Sequence, residues 1–260
     1  MTREVADRVA AALVALWRNR VRHLEGHVVT SDDGVVSCLS NLPADDLSIA
    51  LVEHEPADPL GALSRAESVF EEHGRAFALE IEHGRHPSVD RAVRAMGLTV
   101  ALARPAMAIR VADLPKARPP SDVRIRRVTK PDELSTIVDI EVRVFETERA
   151  VAGRLAGPSL LAVEDIRVYL ATMDGEPVGM ALTSVHEGAA GVFGVGVVPE
   201  ARRRGIGSSI TALAVLDAPN VDLAWLQPTT MGLPLYTSMG FADAASWEVW
   251  VRRAGPTPST

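Results

Sequence analysis

Residues 194–210 read Gly-Val-Gly-Val-Val-Pro-Glu-Ala-Arg-Arg-Arg-Gly-Ile-Gly-Ser-Ser-Ile, an apolar stretch followed by a turn rich in arginine and glycine. The pattern predicts a strand that ends at Pro199 and a helix that begins near Arg204. The N-terminus of such a helix directs free backbone N–H groups and the positive end of the helix dipole at one point. Gly205 and Gly207 have no Cβ, so a ligand can approach the backbone closely. The stretch therefore predicts a binding site for a phosphate or pyrophosphate group.

Two common phosphate-binding motifs do not fit this stretch. No Gly-Lys-Ser/Thr follows the glycines, which excludes the nucleotide P-loop. Ile210 stands where the dinucleotide fingerprint needs its third glycine. What remains is the motif Arg202-x-x-Gly205-x-Gly207, placed directly after a strand that ends in Val-x-Pro.

A second motif lies further along the chain, in Leu235-Tyr-Thr-Ser-Met-Gly-Phe241. Its tyrosine, Tyr236, stands 34 residues beyond Arg202. In this order, and within a β-α-β pattern, the two motifs resemble the coenzyme A loop and the tyrosine segment of the GNAT superfamily of N-acyltransferases. The resemblance covers about residues 122–253.

The resemblance implies where coenzyme A binds. The N–H groups of the loop would cradle the pyrophosphate, and the preceding strand would offer backbone hydrogen bonds to the pantetheine arm. The strands over residues 192–198 and 221–226 would splay apart, aided by a bulge, and hold the thioester between them. Gly194 and Gly196 would allow its close approach. The implied coenzyme A-binding residues are Val195, Gly196, Val197, Arg202, Arg203, Arg204, Gly205, Ile206, Gly207 and Ser208.

The resemblance also implies the chemistry. An amine with a pKa of about 10 must lose a proton before it attacks a thioester, and a carboxylate or a chain of waters accepts that proton. A strand N–H would stabilise the oxyanion, and Tyr236 would protonate the leaving thiolate. No carboxylate stands out as the base: Glu187 is a candidate, as are Glu146 and Glu148. Thr229 stands where the family often has an asparagine, which puts one pantetheine contact in doubt.

The sequence thus predicts an acetyl-CoA-dependent N-acetyltransferase that needs no metal. Its partners are acetyl-CoA and an amine-bearing acceptor, whose identity does not follow from the sequence. Two alternatives stay open. One is a catalytically silent regulatory protein that binds acyl-CoA. The other is an acyltransferase whose donor carries an acyl group longer than acetyl.

The chain divides at residues 113–121, a proline-rich linker that neither a helix nor a central strand would tolerate. Residues 1–112 and 122–260 are each long enough to bury a core of their own. Val93-Arg-Ala-Met-Gly-Leu98 echoes the segment around Tyr236, and an apolar strand that ends in arginine follows each. The first half is therefore predicted to be a degenerate GNAT-like domain. It lacks the coenzyme A loop and shapes the acceptor pocket or a subunit interface.

The predicted fold class is α/β, a mixed sheet with helices, because strand and helix patterns alternate. Helices are predicted over residues 3–23, 60–73, 89–96, 131–145, 204–216 and 234–239. Strands are predicted over residues 27–30, 35–39, 47–52, 77–81, 123–128, 166–173, 178–185, 190–198, 221–226 and 245–252.

Composition excludes several classes of protein. A net charge of −7 disfavours sequence-independent nucleic-acid binding. No apolar run approaches the roughly 20 residues that cross a bilayer, so no membrane association is expected. The single cysteine, Cys38, excludes a disulfide framework and a cysteine-based zinc site. The charged N-terminus has no cleavage-site pattern, which predicts a cytoplasmic protein. The tail, residues 254–260, is expected to be disordered, and a homodimer stays open.

Overall fold

This computed structural model describes residues 2–116 and 118–252, except for the side chain of Asp45. Within these residues, eleven strands form one mixed sheet. The strands are β1 (Val28–Asp32), β2 (Val35–Leu39), β3 (Ile49–Val52), β4 (Ala78–Glu82), β5 (Leu98–Arg110), β6 (Val123–Val128), β7 (Ile166–Met173), β8 (Glu176–His186), β9 (Ala189–Val197), β10 (Leu223–Leu226) and β11 (Ala242–Arg252). The tail for which disorder is expected, residues 254–260, lies outside the described residues.

Seven α-helices accompany the sheet in the described part of the chain: α1 (Arg3–Arg22), α2 (Pro59–Glu72), α3 (Pro87–Ala95), α4 (Leu134–Phe145), α5 (Arg149–Leu155), α6 (Ile206–Leu216) and α7 (Leu233–Ser238). The predicted elements are all present, with shifted ends. The sequence prediction missed α5, a short helix directly after α4. It also began α6 two residues early, because Gly205 has a left-handed backbone conformation (φ 77°) that no helix interior adopts.

The sheet has the strand order β1-β2-β3-β4-β11-β5-β10-β9-β8-β7-β6. All neighbours pair antiparallel except β3 with β4 and β9 with β10, which pair parallel. Each parallel pair is joined through a helix, α2 in the first half and α6 in the second. The order of elements β2-β3-α2-β4-α3-β5 therefore repeats as β8-β9-α6-β10-α7-β11. The short sequence echo is the trace of this duplication.

The two copies exchange their last strands. β5, from the first half, lies between β10 and β11, and β11, from the second half, lies between β4 and β5. The β5–β11 pair is long and antiparallel, from Ala242 opposite Ala108 to Arg252 opposite Leu98. The sheet is consequently continuous across the predicted linker. That linker as a domain boundary remains a prediction.

Helix α1 covers the sheet across both copies. Its apolar residues recur at helical spacing, as at Val9, Leu13 and Trp17, and they are buried in one cluster with Trp225 and Trp247 of the second half. Helices α4 and α5 cover the same face, whereas α2, α3, α6 and α7 cover the other. The cluster under α1 therefore draws on both halves, whereas the clusters that contain α4 and α6 residues with β7 and β8 belong to the second half alone.

The pairing between β9 and β10 ends at Gly191 opposite Trp225. A Cβ on Gly191 would lie 2.7 Å from Cζ2 of Trp225, so the indole ring occupies the space of the missing side chain. The glycine thus fixes the point at which these two strands begin to diverge.

We expect Gly191→Ala to lower the free energy of unfolding by about 1–3 kcal/mol, because a close-packed core must move to admit the methyl group. Urea unfolding measures the change. Gly153→Ala is the matched control, since nothing lies within 4 Å of its Cβ position in α5. A Gly191→Ala variant as stable as the parent chain would show that the indole does not fill this space.

Candidate active site

A cavity of about 700 Å³ opens where β9 and β10 diverge. It is bounded by the edge of β9, the loop before α6, the end of β10 and the start of α7. Beyond Gly191 the backbone of β9 pairs with β8 only, so its other edge faces the cavity without a strand partner. Val195, Gly196 and Val197, which the sequence assigns to coenzyme A binding, lie on that edge and line the cavity.

A β-bulge bends β9 at this place. The register against β8 shifts between Met180 and Leu182, and Gly194 takes a left-handed conformation with φ 58°. The two glycines of the strand also leave room for protein side chains. A Cβ on Gly194 would lie 2.9 Å from Leu182, and one on Gly196 would lie 3.0 Å from Val144. The expected bulge is present, but these glycines accommodate neighbouring packing as well as any ligand.

The loop between β9 and α6 forms a concave array of N–H groups. Arg203 (φ 60°) and Gly205 (φ 77°) are left-handed, and this turns successive N–H groups toward one side. The N–H groups of residues 203–208 find no acceptor among the described residues. Gly205, Ile206, Gly207 and Ser208 line the cavity at the N-terminus of α6. An anion placed there meets unpaired donors and the positive end of the helix dipole.

The three arginines of the loop have different environments. Arg202 and Arg203 line the cavity, and Arg202 donates from Nε to the carbonyl oxygen of Val197 at 2.9 Å. Arg204 forms an ion pair with Asp122 at 2.6 Å and is not among the residues that line the cavity. Its charge is paired in this structure, and its role in coenzyme A binding stays a prediction.

Tyr236 lies on α7 and reaches the same cavity from the opposite wall. Its side chain is 8 % exposed and packs edge-to-face against Phe241. Burial raises the pKa of Tyr236 to about 12, with the Thr211 hydroxyl acting in the opposite direction. The phenol is protonated at neutral pH, as a tyrosine with the ordinary pKa of about 10 also is, and the raised pKa makes it a weaker acid.

The residue that replaces the family's asparagine has a structural contact. Thr229 accepts the N–H of Gly232 with its side-chain oxygen at 3.1 Å and thereby supports the start of α7. It also lines the cavity.

Next to it, Gln227 connects the cavity to the first half of the chain. Its side-chain N–H donates to Glu80 of β4 at 2.7 Å, and Arg104 of β5 donates to the same carboxylate oxygen at 3.1 Å. Glu80 is completely buried. Gln227 itself lines the cavity, so the two halves of the chain meet at this site.

The sequence candidates for the base are not in this cavity. Glu187 lies in the turn before β9, at the end of that strand opposite to the loop, and its carbonyl oxygen accepts a hydrogen bond from Arg8. Glu146 and Glu148 are exposed at the junction between α4 and α5. None of the three lines the cavity. The assignment of Glu187 is therefore corrected: a hairpin turn at the far end of β9 cannot bring its carboxylate to the strand's bulge.

A second cavity, of about 140 Å³, adjoins the first and contains a carboxylate that the sequence analysis missed. Phe193 and Gly194 line both cavities, and Glu141 of α4 lines the second one. Burial raises the pKa of Glu141, and its Oε1 accepts a hydrogen bond from Thr147 at 3.1 Å. A signal was available in the sequence, because Glu141 follows Ile137 by one helical turn on the apolar face of α4.

The same cavity is closed by the C-terminal part of α1. Arg20 and His23 line it, and burial lowers the pKa of both side chains. The guanidinium of Arg20 lies over the ring of Trp17, 4.9 Å from its centroid. The first half of the chain thus contributes part of the wall beside the bulge.

The corresponding place in the first half has the opposite charge. Between β3 and α2 the chain carries Glu53, Glu55 and Asp58, where the second half carries three arginines. Asp58 accepts the N–H of Gly61 and so occupies the N-terminus of α2 with its own carboxylate. An anion such as pyrophosphate would be repelled there.

The described residues also bear on metal binding and on insertion into a membrane. In residues 2–116 and 118–252, no group of three or more His, Cys, Asp and Glu side chains is arranged to hold a metal ion. No helix among those residues combines the length and the apolar character needed to span a bilayer. Cys38 is buried, and burial raises the pKa of its thiol to about 12.

Comparisons with known proteins agree with this geometry. The sequence profile described as "Acetyltransferase (GNAT) domain" matches residues 164–243, which include the bulged strand, the loop and Tyr236. No curated protein matches the sequence.

Several solved structures share the whole fold. A GCN5-related N-acetyltransferase from Kribbella flavida has 24 % sequence identity and a TM-score of 0.75, over 96 % of each chain. A GCN5-related N-acetyltransferase from Sphaerobacter thermophilus has 16 % identity and a TM-score of 0.61, over 96 % of this chain and 95 % of the other. A tandem GNAT protein from the clavulanic acid biosynthesis pathway has 15 % identity and a TM-score of 0.64, over 94 % of this chain and 88 % of the other.

The fold is that of the tandem GNAT proteins, with one large mixed sheet built from two copies of the same arrangement. Residues 164–243 of the second copy match the GNAT acetyltransferase domain, in agreement with the resemblance that the two sequence motifs carry.

Proposed function

We propose that the chain is an N-acetyltransferase that moves the acetyl group of acetyl-CoA to the nitrogen of an amine. One observation carries the proposal: a single cavity joins the unpaired edge of β9, the free N–H groups before α6 and the protonated phenol of Tyr236. Each of these three parts suits a different part of a thioester donor.

The residues fit coenzyme A by their chemistry. The N–H groups of residues 203–208 supply donors for a pyrophosphate, and Arg202 and Arg203 add positive charge at the rim. The unpaired edge of β9 suits an extended amide chain, which would bind as an added strand. Coenzyme A supplies the activated thioester and a leaving group that needs one proton.

The protein groups then direct the transfer. An unpaired N–H of β9 near the bulge at Gly194 would stabilise the developing oxyanion. The neutral amine attacks the acyl carbon and the nitrogen–carbon bond forms. The nitrogen then releases one proton to solvent and the carbon–sulfur bond breaks. The thiolate takes the proton that Tyr236 holds. Tyr236 regains a proton from solvent before the next cycle.

Calorimetric titration of the purified chain with acetyl-CoA, coenzyme A and hexanoyl-CoA tests the donor site. For acetyl-CoA we expect a dissociation constant in the micromolar range, which corresponds to a binding free energy of about −8 kcal/mol. Tighter binding of hexanoyl-CoA would favour a longer donor. No binding of any of the three would contradict the proposal. Binding without transfer would favour the silent, acyl-CoA-binding alternative, which the Tyr236 variant below also tests.

A further inference from the structure

The second cavity, beside the β9 bulge, has a simple charge pattern. Ten of its thirteen lining residues are apolar or glycine. His23 also lines it, and burial lowers the pKa of this ring, so the ring is neutral at neutral pH. Two charged residues remain. These two are Arg20 of α1 and Glu141 of α4, one cation and one anion. An otherwise apolar cavity with two opposite charges is expensive to build, since each charge is partly desolvated.

The two charges act on each other through space but do not form an ion pair. Burial is the largest influence on the pKa of each, and the opposite charge of the other side chain works against it. No ion pair joins Arg20 to Glu141, and Arg20 forms none with any other side chain that the structure describes. Stacking on Trp17 holds the guanidinium in place without consuming its N–H donors. Of the Glu141 oxygens, Oε1 accepts from Thr147, and Oε2 accepts no hydrogen bond within the described residues. Arg20 thus keeps its N–H donors and Glu141 keeps one acceptor oxygen. Arg20 lies between this cavity and another one, which it lines with Trp17 and Asp46.

We infer that this cavity binds the acceptor, and that the acceptor is a small zwitterionic amine such as an amino acid. Its carboxylate would pair with the Arg20 guanidinium, a geometry that favours bidentate binding. Its ammonium would face Glu141. The inference rests on the proposed function and gives it a substrate class.

Size and position agree with this assignment. The cavity has about 140 Å³, whereas one water needs only about 10–15 Å³ of such volume, so a small organic molecule fits. Phe193 and Gly194 are shared with the coenzyme A cavity, so the amine enters next to the bulge where the thioester would lie.

Glu141 then accepts the proton that the ammonium must lose. The proton moves from nitrogen to the carboxylate, and the free electron pair on nitrogen attacks the acyl carbon. The carbon–sulfur bond breaks and the thiolate takes a proton from Tyr236. As the tetrahedral intermediate collapses to the amide, the nitrogen loses its second proton to solvent. Glu141 also releases its proton to solvent and Tyr236 regains one, so one proton is released overall for each amine acetylated.

The test compares free amino acids with their own α-amides, for example leucine with leucinamide, in acetyl-CoA-dependent thiol release. For the parent chain we expect kcat/KM to be about 10- to 100-fold higher for the acid than for the amide. This ratio is what a hydrogen bond between two charged groups contributes to binding. In Arg20→Gln this preference should vanish through a higher KM for the acid, with the dissociation constant of acetyl-CoA unchanged. Arg22→Gln, two residues away and exposed, is the matched control and should keep the preference.

Glu141→Gln provides an independent variant. We expect kcat to fall by about 100-fold and KM for the amino acid to rise, because its ammonium loses a charged partner. The thermal unfolding midpoint should stay close to that of the parent. Equal turnover of acids and amides by the parent chain, or a preference that survives Arg20→Gln, would overturn the substrate class. An unchanged kcat in Glu141→Gln would overturn the role of the carboxylate. If acetyl-CoA itself does not bind, the proposed function fails, and that result is distinct from both.

Discussion

Tyr236→Phe is expected to lower kcat by about 10²–10⁴-fold, the usual contribution of a general acid. This phenol lines the cavity and is protonated throughout the neutral range, so it can donate to a thiolate there. The substitution removes one oxygen and leaves the edge-to-face contact with Phe241 intact. Affinity for acetyl-CoA should therefore stay the same. Steady-state rates and a titration of the variant with acetyl-CoA measure the two quantities.

Tyr169→Phe is the matched control, because Tyr169 is the other tyrosine of the chain and is also buried. Its hydroxyl donates to Asp217 at 3.0 Å and does not line the cavity. Loss of that hydrogen bond should cost about 0.5–1.5 kcal/mol of stability and leave kcat unchanged. If Tyr236→Phe retained full kcat, Tyr236 would be a packing residue and the thiolate would take its proton elsewhere.

Gly207→Leu is expected to weaken acetyl-CoA binding by at least about 100-fold. A Cβ at this position would lie 3.2 Å from Leu235, and the larger side chain would fill the concave face of the loop where N–H groups converge. Hydrogen bonds to a charged group are worth about 1.5–3 kcal/mol each, so the loss of one or two is sufficient. Calorimetric titration with acetyl-CoA measures the effect.

Gly153→Leu serves as its control, since this helical glycine has open space at its Cβ position and lies outside the coenzyme A cavity. Its dissociation constant for acetyl-CoA should equal that of the parent chain. Unchanged affinity in Gly207→Leu would mean that the phosphates bind somewhere other than the N-terminus of α6.

Much of the second half could be predicted from the sequence because its signals are local. The strand-turn-helix pattern around Gly205 and the segment around Tyr236 each depend on residues close together in the chain. The conformations confirm the pattern: Gly205 is left-handed and begins α6, and Gly240 ends the segment after α7 with φ 91°. The GNAT resemblance follows from these two motifs and is supported by the match over residues 164–243.

The exchange of β5 and β11 could not be predicted, because it is a matter of pairing between distant segments. Both strands carry apolar residues that would pair equally well within their own half. The periodicity of a strand predicts which of its faces is buried, but it does not predict which other strand will pair with it. The cluster that α1 shares between the two halves could not be predicted for the same reason.

The residues beside the bulge were missed because sequence reasoning followed the family's motifs. Glu141 and Arg20 lie outside both motifs, on helices whose other inward residues are apolar. A charged residue at an inward helical position is the signal that could have found them, since burying a charge is costly unless it has a partner or a function. Glu187 is close in sequence to β9, but it precedes this strand, and the cavity lies at the strand's other end.

Transfer itself is the central claim, and mass spectrometry of the products tests it most directly. The chain is incubated with acetyl-CoA and a panel of amines that includes free amino acids, and the N-acetylated amine and free coenzyme A are quantified together. We predict an N-acetylated product in equal amount to the released coenzyme A, strongly reduced with Tyr236→Phe. Tight binding of acetyl-CoA without an acetylated amine from any member of the panel would contradict catalysis and favour a protein that only binds the thioester.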